Sequence, residues 1–170
     1  MGNAAAFFVR HVDAFNRRVG RFAMYLVFVM GAILLASTGS RILLGAPFNW
    51  ALETSQFILS AYYLLGGAYT MQLGQHVRMD LLYDRLSARK RAATDAITIL
   101  FVIFYLVVLF AGGISSTKYA ITYHQVNYSA WSPPLWPVKV VMTFGILLML
   151  LQCISALIRD ISIARGKPIE

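Results

Sequence analysis

Residues 96–117 read AITILFVIFYLVVLFAGGISST, an unbroken apolar stretch without a charged side chain. A helix needs roughly 20 mainly apolar residues to cross a hydrocarbon layer about 30 Å thick. Inside that layer it satisfies its own backbone N–H and C=O groups. The stretch has the required length, and it is too continuously apolar for a barrel strand, which alternates in polarity over about ten residues. It therefore reads as a membrane-spanning helix. Working outward, three further uncharged runs occupy residues 22–40, 54–75 and 140–158, and no isolated apolar run remains for a fifth. The expected fold is an all-α membrane protein, a single domain over residues 1–170, with four spans at about 22–40, 51–75, 94–117 and 138–158.

Composition agrees. Apolar residues make up 59 % of the chain and charged residues 13 %, with a mean hydropathy of +0.66. Soluble domains carry about 25 % charged residues, so this chain has too little charge for a surface in water. The net charge of +8 and the pI near 9.9 would fit a nucleic-acid binder. A binder, however, carries its basic residues as a stripe on a soluble fold, whereas here they sit between apolar runs. No nucleic-acid partner is expected; membrane lipids are.

The flanks orient the spans. Arg10, Arg17, Arg18 and Arg21 precede the first run; Arg78, Arg85, Arg89, Lys90 and Arg91 separate the second and third; Arg159, Arg165 and Lys167 follow the fourth. The other side carries Arg41, Lys118 and Lys139. The positive-inside rule then places both termini and the central loop in the cytoplasm. The first run is longer than a signal-peptide core and no A-x-A site follows it, so it is kept as a span.

Aromatic residues mark the opposite interface. Phe48 and Trp50 open the second helix, and Tyr119, Tyr123, Tyr128, Trp131 and Trp136 crowd the segment before the fourth. Such side chains favour the headgroup zone. Pro133, Pro134 and Pro137 stop helix propagation there. In the central loop, Met79, Leu82, Tyr83 and Leu86 recur at helical spacing, which predicts a short interfacial amphipathic helix between the second and third spans. Ser87 is the expected N-cap of the next helix.

Ionisable groups at membrane depth are functional candidates. Only Glu53, in the first turn of the second helix, comes near. Its plain reading is a structural carboxylate at a helix N-terminus, paired with Arg41; an ion-coupling role or a subunit contact are the alternatives. Glu53, Gln56, Ser60, Tyr63, Gly67, Thr70 and Gly74 share one helical face, a small and polar stripe of the type that packs helices in lipid. Whether the partner helix belongs to this chain or to another stays open. His76 and His124 fall on opposite membrane faces, so a bis-histidine haem is excluded. Cys153 is the sole cysteine and reads as a small buried apolar residue. Without catalytic or metal motifs, no enzyme activity and no cofactor are expected.

The string Gly74-Gln75-His76-Val77-Arg78-Met79-Asp80-Leu81-Leu82, following a helix opened by Trp50 and Glu53, resembles the small membrane subunit (DctQ type) of tripartite ATP-independent periplasmic (TRAP) transporters. Val77 and Met79 stand where that pattern often has other aliphatic residues. The segment 133–139 and the pairs Leu151-Gln152 and Arg159-Asp160 resemble one branch of the family, and the likeness covers about residues 15–161. It implies a bacterial inner-membrane location and two partners, a large membrane subunit (DctM type) and a periplasmic substrate-binding protein. It further implies sodium-coupled import of small solutes such as organic acids. The small subunit would stabilise the large elevator subunit and help dock the binding protein. Trp50, Glu53, Gln56, Ser60, Gly67, Gly74, His76, Arg78, Asp80, Trp131 and Trp136 are then structural or partner-interface candidates, with no solute site in this chain. Two rivals are a stand-alone proton-coupled exporter, which needs a carboxylate nearer the midplane than Glu53, and a membrane anchor of a respiratory complex.

Overall fold

A computed structural model describes the backbone of residues 3–46, 48–73 and 88–164, and the side chains within 6–46, 48–73 and 98–162. Four helices account for almost all of it: α1 (Asn3–Leu44), α2 (Ala51–Gln72), α3 (Ala88–Thr122) and α4 (Trp136–Ala164). Among the described residues there is no strand, only an isolated antiparallel bridge between Val126 and Pro134. Gly74, His76, Arg78, Asp80 and the expected interfacial helix lie outside the described residues.

The helix ends follow from local chemistry. α1 stops at Leu44, where Gly45 takes a left-handed backbone (φ 73°) open to a residue without Cβ. The Ser40 hydroxyl donates to the Ala46 carbonyl across that turn. α3 closes with His124 at φ 47°, with bonds from His124 N–H to Ile121 O and from Gln125 N–H to Ala120 O. Those two bonds form a Schellman cap that satisfies the last carbonyls. Pro137 lies in the first turn of α4, where its missing N–H costs no hydrogen bond.

Contacts fix the arrangement. α4 packs against each of the other three helices, α1 packs on α2, and α3 lies against α4 on the side away from α1. Leu64 meets Gly145, Gly67 meets Met149 and Met71 meets Cys153, a nearly constant offset, so α2 and α4 run parallel. Asp13 meets Gln72 and Gly20 meets Tyr69, while Gly113 meets Thr143 and Thr117 meets Lys139, so α1–α2 and α3–α4 are antiparallel. The four helices thus alternate in direction, and the start of α1 lies at the same end of the bundle as the end of α4.

Two buried clusters form the core. Ala23, Leu65, Ala68 and Leu148 join α1, α2 and α4. Leu106, Ile146 and Cys153 join α3 and α4, with Leu64 and Met71 of α2 against them. Glycine permits the closest crossings: a Cβ on Gly145 would lie 2.9 Å from the Leu64 carbonyl carbon, and one on Gly20 would collide with Tyr69 Cβ. In lipid, where apolar burial between helices gains little, such close backbone approach is a main source of packing energy.

The residues before the first apolar run are helical and continuous with it, because α1 begins at Asn3. By length and hydropathy, three described helices suit a membrane crossing: Ala6–Leu44, Thr98–Thr122 and Trp136–Ser162. At about 33 Å, α2 is long enough, but Glu53, Thr54, Ser55, Gln56, Ser60 and five further Tyr, Thr and Gln residues from Tyr62 to Gln72 dilute its hydropathy.

Candidate functional site

Polar chemistry gathers at the two ends of the bundle. At the aromatic end, Trp50 precedes α2 and stacks on Phe48 with ring centroids 5.6 Å apart. One turn on, Glu53 Oε2 accepts a hydrogen bond from Asn127 Nδ2 at 3.3 Å. Asn127 belongs to the connection between α3 and α4, which folds back on itself: Asn127 N–H donates to Pro133 O at 2.9 Å and Leu135 N–H to Gln125 O at 2.9 Å. Lys139 Nζ ties the base of this turn to Gln125 Oε1 at 2.7 Å. Glu53 therefore anchors the connecting segment to α2, and its partner is Asn127 in place of the expected Arg41. Beyond the anchor, Tyr128, Trp131 and Trp136 stand exposed.

The polar stripe of α2 does not form its internal packing face. Ala51, Ser55, Leu65 and Ala68 are the buried positions. Gln56 is exposed, Tyr63 is 66 % exposed, and the hydroxyls of Ser60 and Thr70 donate back to Gln56 O and Gly67 O of the same helix. Gly67 of the expected stripe meets another helix of this chain, at Met149.

The opposite end holds a cluster that the sequence reading did not single out. Asp13 of α1 accepts at Oδ1 from Gln152 Nε2 (2.9 Å) and Ser155 Oγ (3.1 Å), and Oδ2 forms an ion pair with Arg159. Asn16 Nδ2 donates to Gln152 Oε1 at 2.6 Å, and Gln72 Nε2 donates to the Asp13 carbonyl at 3.3 Å. Asn16, Gln152 and Ser155 are essentially fully buried. The network fastens α1, α2 and α4 together, and it accounts for two buried amides and a carboxylate that would be expensive to leave unpaired. Asn16 Oδ1 and Gln72 Oε1 remain without a partner among the described residues. One signal in the sequence pointed here: Asp13 is the one acidic residue in a basic stretch, and Gln152 and Ser155 interrupt an apolar run that ends in Arg159.

Much of the remaining surface is apolar. Phe28 and Leu35 of α1 and Phe101 and Phe104 of α3 are each 70–75 % exposed. Two shallow apolar grooves, of about 360 and 500 Å³, flank the α3–α4 seam. A continuous apolar girdle of this extent belongs in lipid or against another membrane protein. Among the described residues, no group of three or more metal-ligating side chains occurs.

An all-helical, multi-pass membrane protein whose polar groups brace its own helices is the class these features define. The family model for the DctQ component of tripartite ATP-independent periplasmic transporters matches residues 30–162, and the chain belongs to that family. It is a family of transporter components, not of enzymes. Comparison with curated proteins and with solved structures finds no match.

Proposed function

We propose that this chain is the small scaffold subunit of a sodium-coupled, binding-protein-dependent importer of small solutes, organic acids among them. Membership of the transporter-component family carries this reading. In it the chain crosses the bacterial inner membrane four times, with α2 as the least apolar span and both termini in the cytoplasm. The Lys/Arg asymmetry supports that orientation, and the alternating helix directions are compatible with it. The large membrane subunit covers the outward stripe of α2, Gln56 with Ser60 and Tyr63, together with part of the apolar girdle. The aromatic connection around Tyr128 and Trp131 is offered to the periplasmic binding protein. Arg78 and Asp80 serve assembly on the cytoplasmic side after α2 and do not bind solute.

The placement of Glu53 favours this scaffold role over a stand-alone exporter. Its carboxylate is hydrogen-bonded to Asn127 in the first turn of a helix, while exchange carboxylates of transporters work near the midplane. The test is affinity purification of the tagged chain from its native membrane in mild detergent. A second, larger multi-pass membrane protein should co-purify in fixed stoichiometry. Recovery of this chain alone, stable and monodisperse, would contradict the subunit reading.

A further inference from the structure

The contacts of α1 place its arginines deeper than the sequence alone suggests. Asn16 donates to Leu148 O and Gln152 Oε1, and the rings of Phe15 and Phe144 meet edge to face at 6.5 Å. Ala23 packs in the cluster that holds Leu148. Residues 15–23 of α1 therefore run beside residues 144–152 of α4. In α4 that stretch lies inside the uncharged interval bounded by Lys139 and Arg159. At 1.5 Å per residue the interval is about 30 Å long, the thickness of a hydrocarbon layer. Asp13, paired with Arg159, marks one boundary. Arg17, Arg18 and Arg21 follow it, so their Cα atoms lie roughly 6–12 Å inside that boundary.

All three arginines are exposed, and they share the face of α1 turned away from the buried residues Asn16, Gly20 and Ala23. Among the described residues none of the three has a carboxylate partner; the Asp13 carboxylate is taken by Arg159, Gln152 and Ser155. A guanidinium left bare in hydrocarbon is costly. In an α-helix each Cα–Cβ bond tilts towards the N-terminus. From α1 the long arginine side chains thus lean back towards the boundary at Asp13, the geometry in which arginine reaches an interface while its stem stays in the apolar layer. Phe15 and Phe22 are exposed beside them and supply contacts for acyl chains.

We infer that Arg17, Arg18 and Arg21 form a binding face for the phosphates of anionic phospholipids in the inner leaflet, drawn against α1 below the ordinary headgroup level. Guanidinium groups bind phosphate through paired N–H donors, and anionic lipids are the counter-charge available at the cytoplasmic surface. The inference rests on the reading that α1 starts in the cytoplasm of a membrane complex.

The test is native mass spectrometry of the complex purified with its large membrane partner, titrated with phosphatidylglycerol or phosphatidylcholine. The wild type should bind phosphatidylglycerol selectively. Replacing Arg17, Arg18 and Arg21 by Gln, one by one and together, should weaken that selectivity by about five-fold per arginine. The Lys versions should retain most of it. Equal binding of both lipids by the wild type, or unchanged selectivity in the triple Gln variant, overturns the inference. A triple variant that sheds the large partner while each remaining complex keeps its lipid preference also overturns it, and assigns the face to acidic groups of that partner. Failure of the underlying reading shows separately. In a Cys153→Ala background, Ala130→Cys should react with an impermeant thiol reagent from the periplasm, and reaction from the cytoplasm alone would reverse the orientation whatever the lipid result.

Discussion

At Gly145 the backbone of Leu64 leaves no space for a methyl group, and because the obstacle is main chain, α2 and α4 would have to separate to admit one. Gly145→Ala should destabilise the protein by about 1–3 kcal/mol, the usual range for overpacking. Gly66→Ala is the control, since a Cβ there meets nothing within 4 Å and alanine is the better helix former by about 1 kcal/mol. Thermal unfolding in detergent checks both, and a Gly145→Ala variant as stable as Gly66→Ala would refute the α2–α4 crossing. Single residues were the least legible scale in the sequence. Glu53 stood out as an acid at a span boundary, yet its partner Asn127 is 74 positions away in a connection whose fold depends on the bridge between Val126 and Pro134. Asp13 carries no motif, and only the contact with Arg159, across nearly the whole chain, gives it a role.

Among the elements, the helices themselves were readable from apolar runs, but their lengths and faces were not. Hydropathy marks where α1 becomes apolar, whereas the helix continues back to Asn3, held by the contacts of Asn16 and Asp13 with α4. In α2 two faces carry small residues. The sequence pattern picked out Gln56, Ser60 and Thr70, but the face that packs inside this chain is Ala51, Ser55, Leu65 and Ala68. Spacing shows that a stripe exists; the shape of the neighbouring helix decides which stripe it takes. The Asp13 network is the device that joins these elements, and its strength can be measured. Asp13→Ala leaves Gln152, Ser155 and Arg159 without their acceptor and should cost about 2–3 kcal/mol, while Arg159, with 39 % of its side chain exposed, should cost less when removed. In a double-mutant cycle the pair should show a coupling of about 0.5–3 kcal/mol. Strict additivity would mean that the two groups do not work together.

For the whole molecule, the all-helical class and membrane character were plain from the absence of charge in four long runs. The family was legible in the string around His76, and the match over residues 30–162 bears it out. What no pattern in one chain can display is which outward surfaces meet lipid and which meet a partner, because both are apolar. The structure narrows that choice by showing how the polar groups near the helix ends are used: Glu53, Lys139, Asp13 and Arg159 bond within the chain. A bundle organised in this way uses these groups to hold its own helices, and the proposed scaffold role makes a direct demand on transport. The deciding measurement is solute uptake into proteoliposomes under an imposed sodium gradient, with this chain alone and then with the large subunit and the binding protein. No flux is expected from the chain alone, and sodium-dependent uptake only when all three components are present. Solute or proton flux through this chain by itself would contradict the scaffold role.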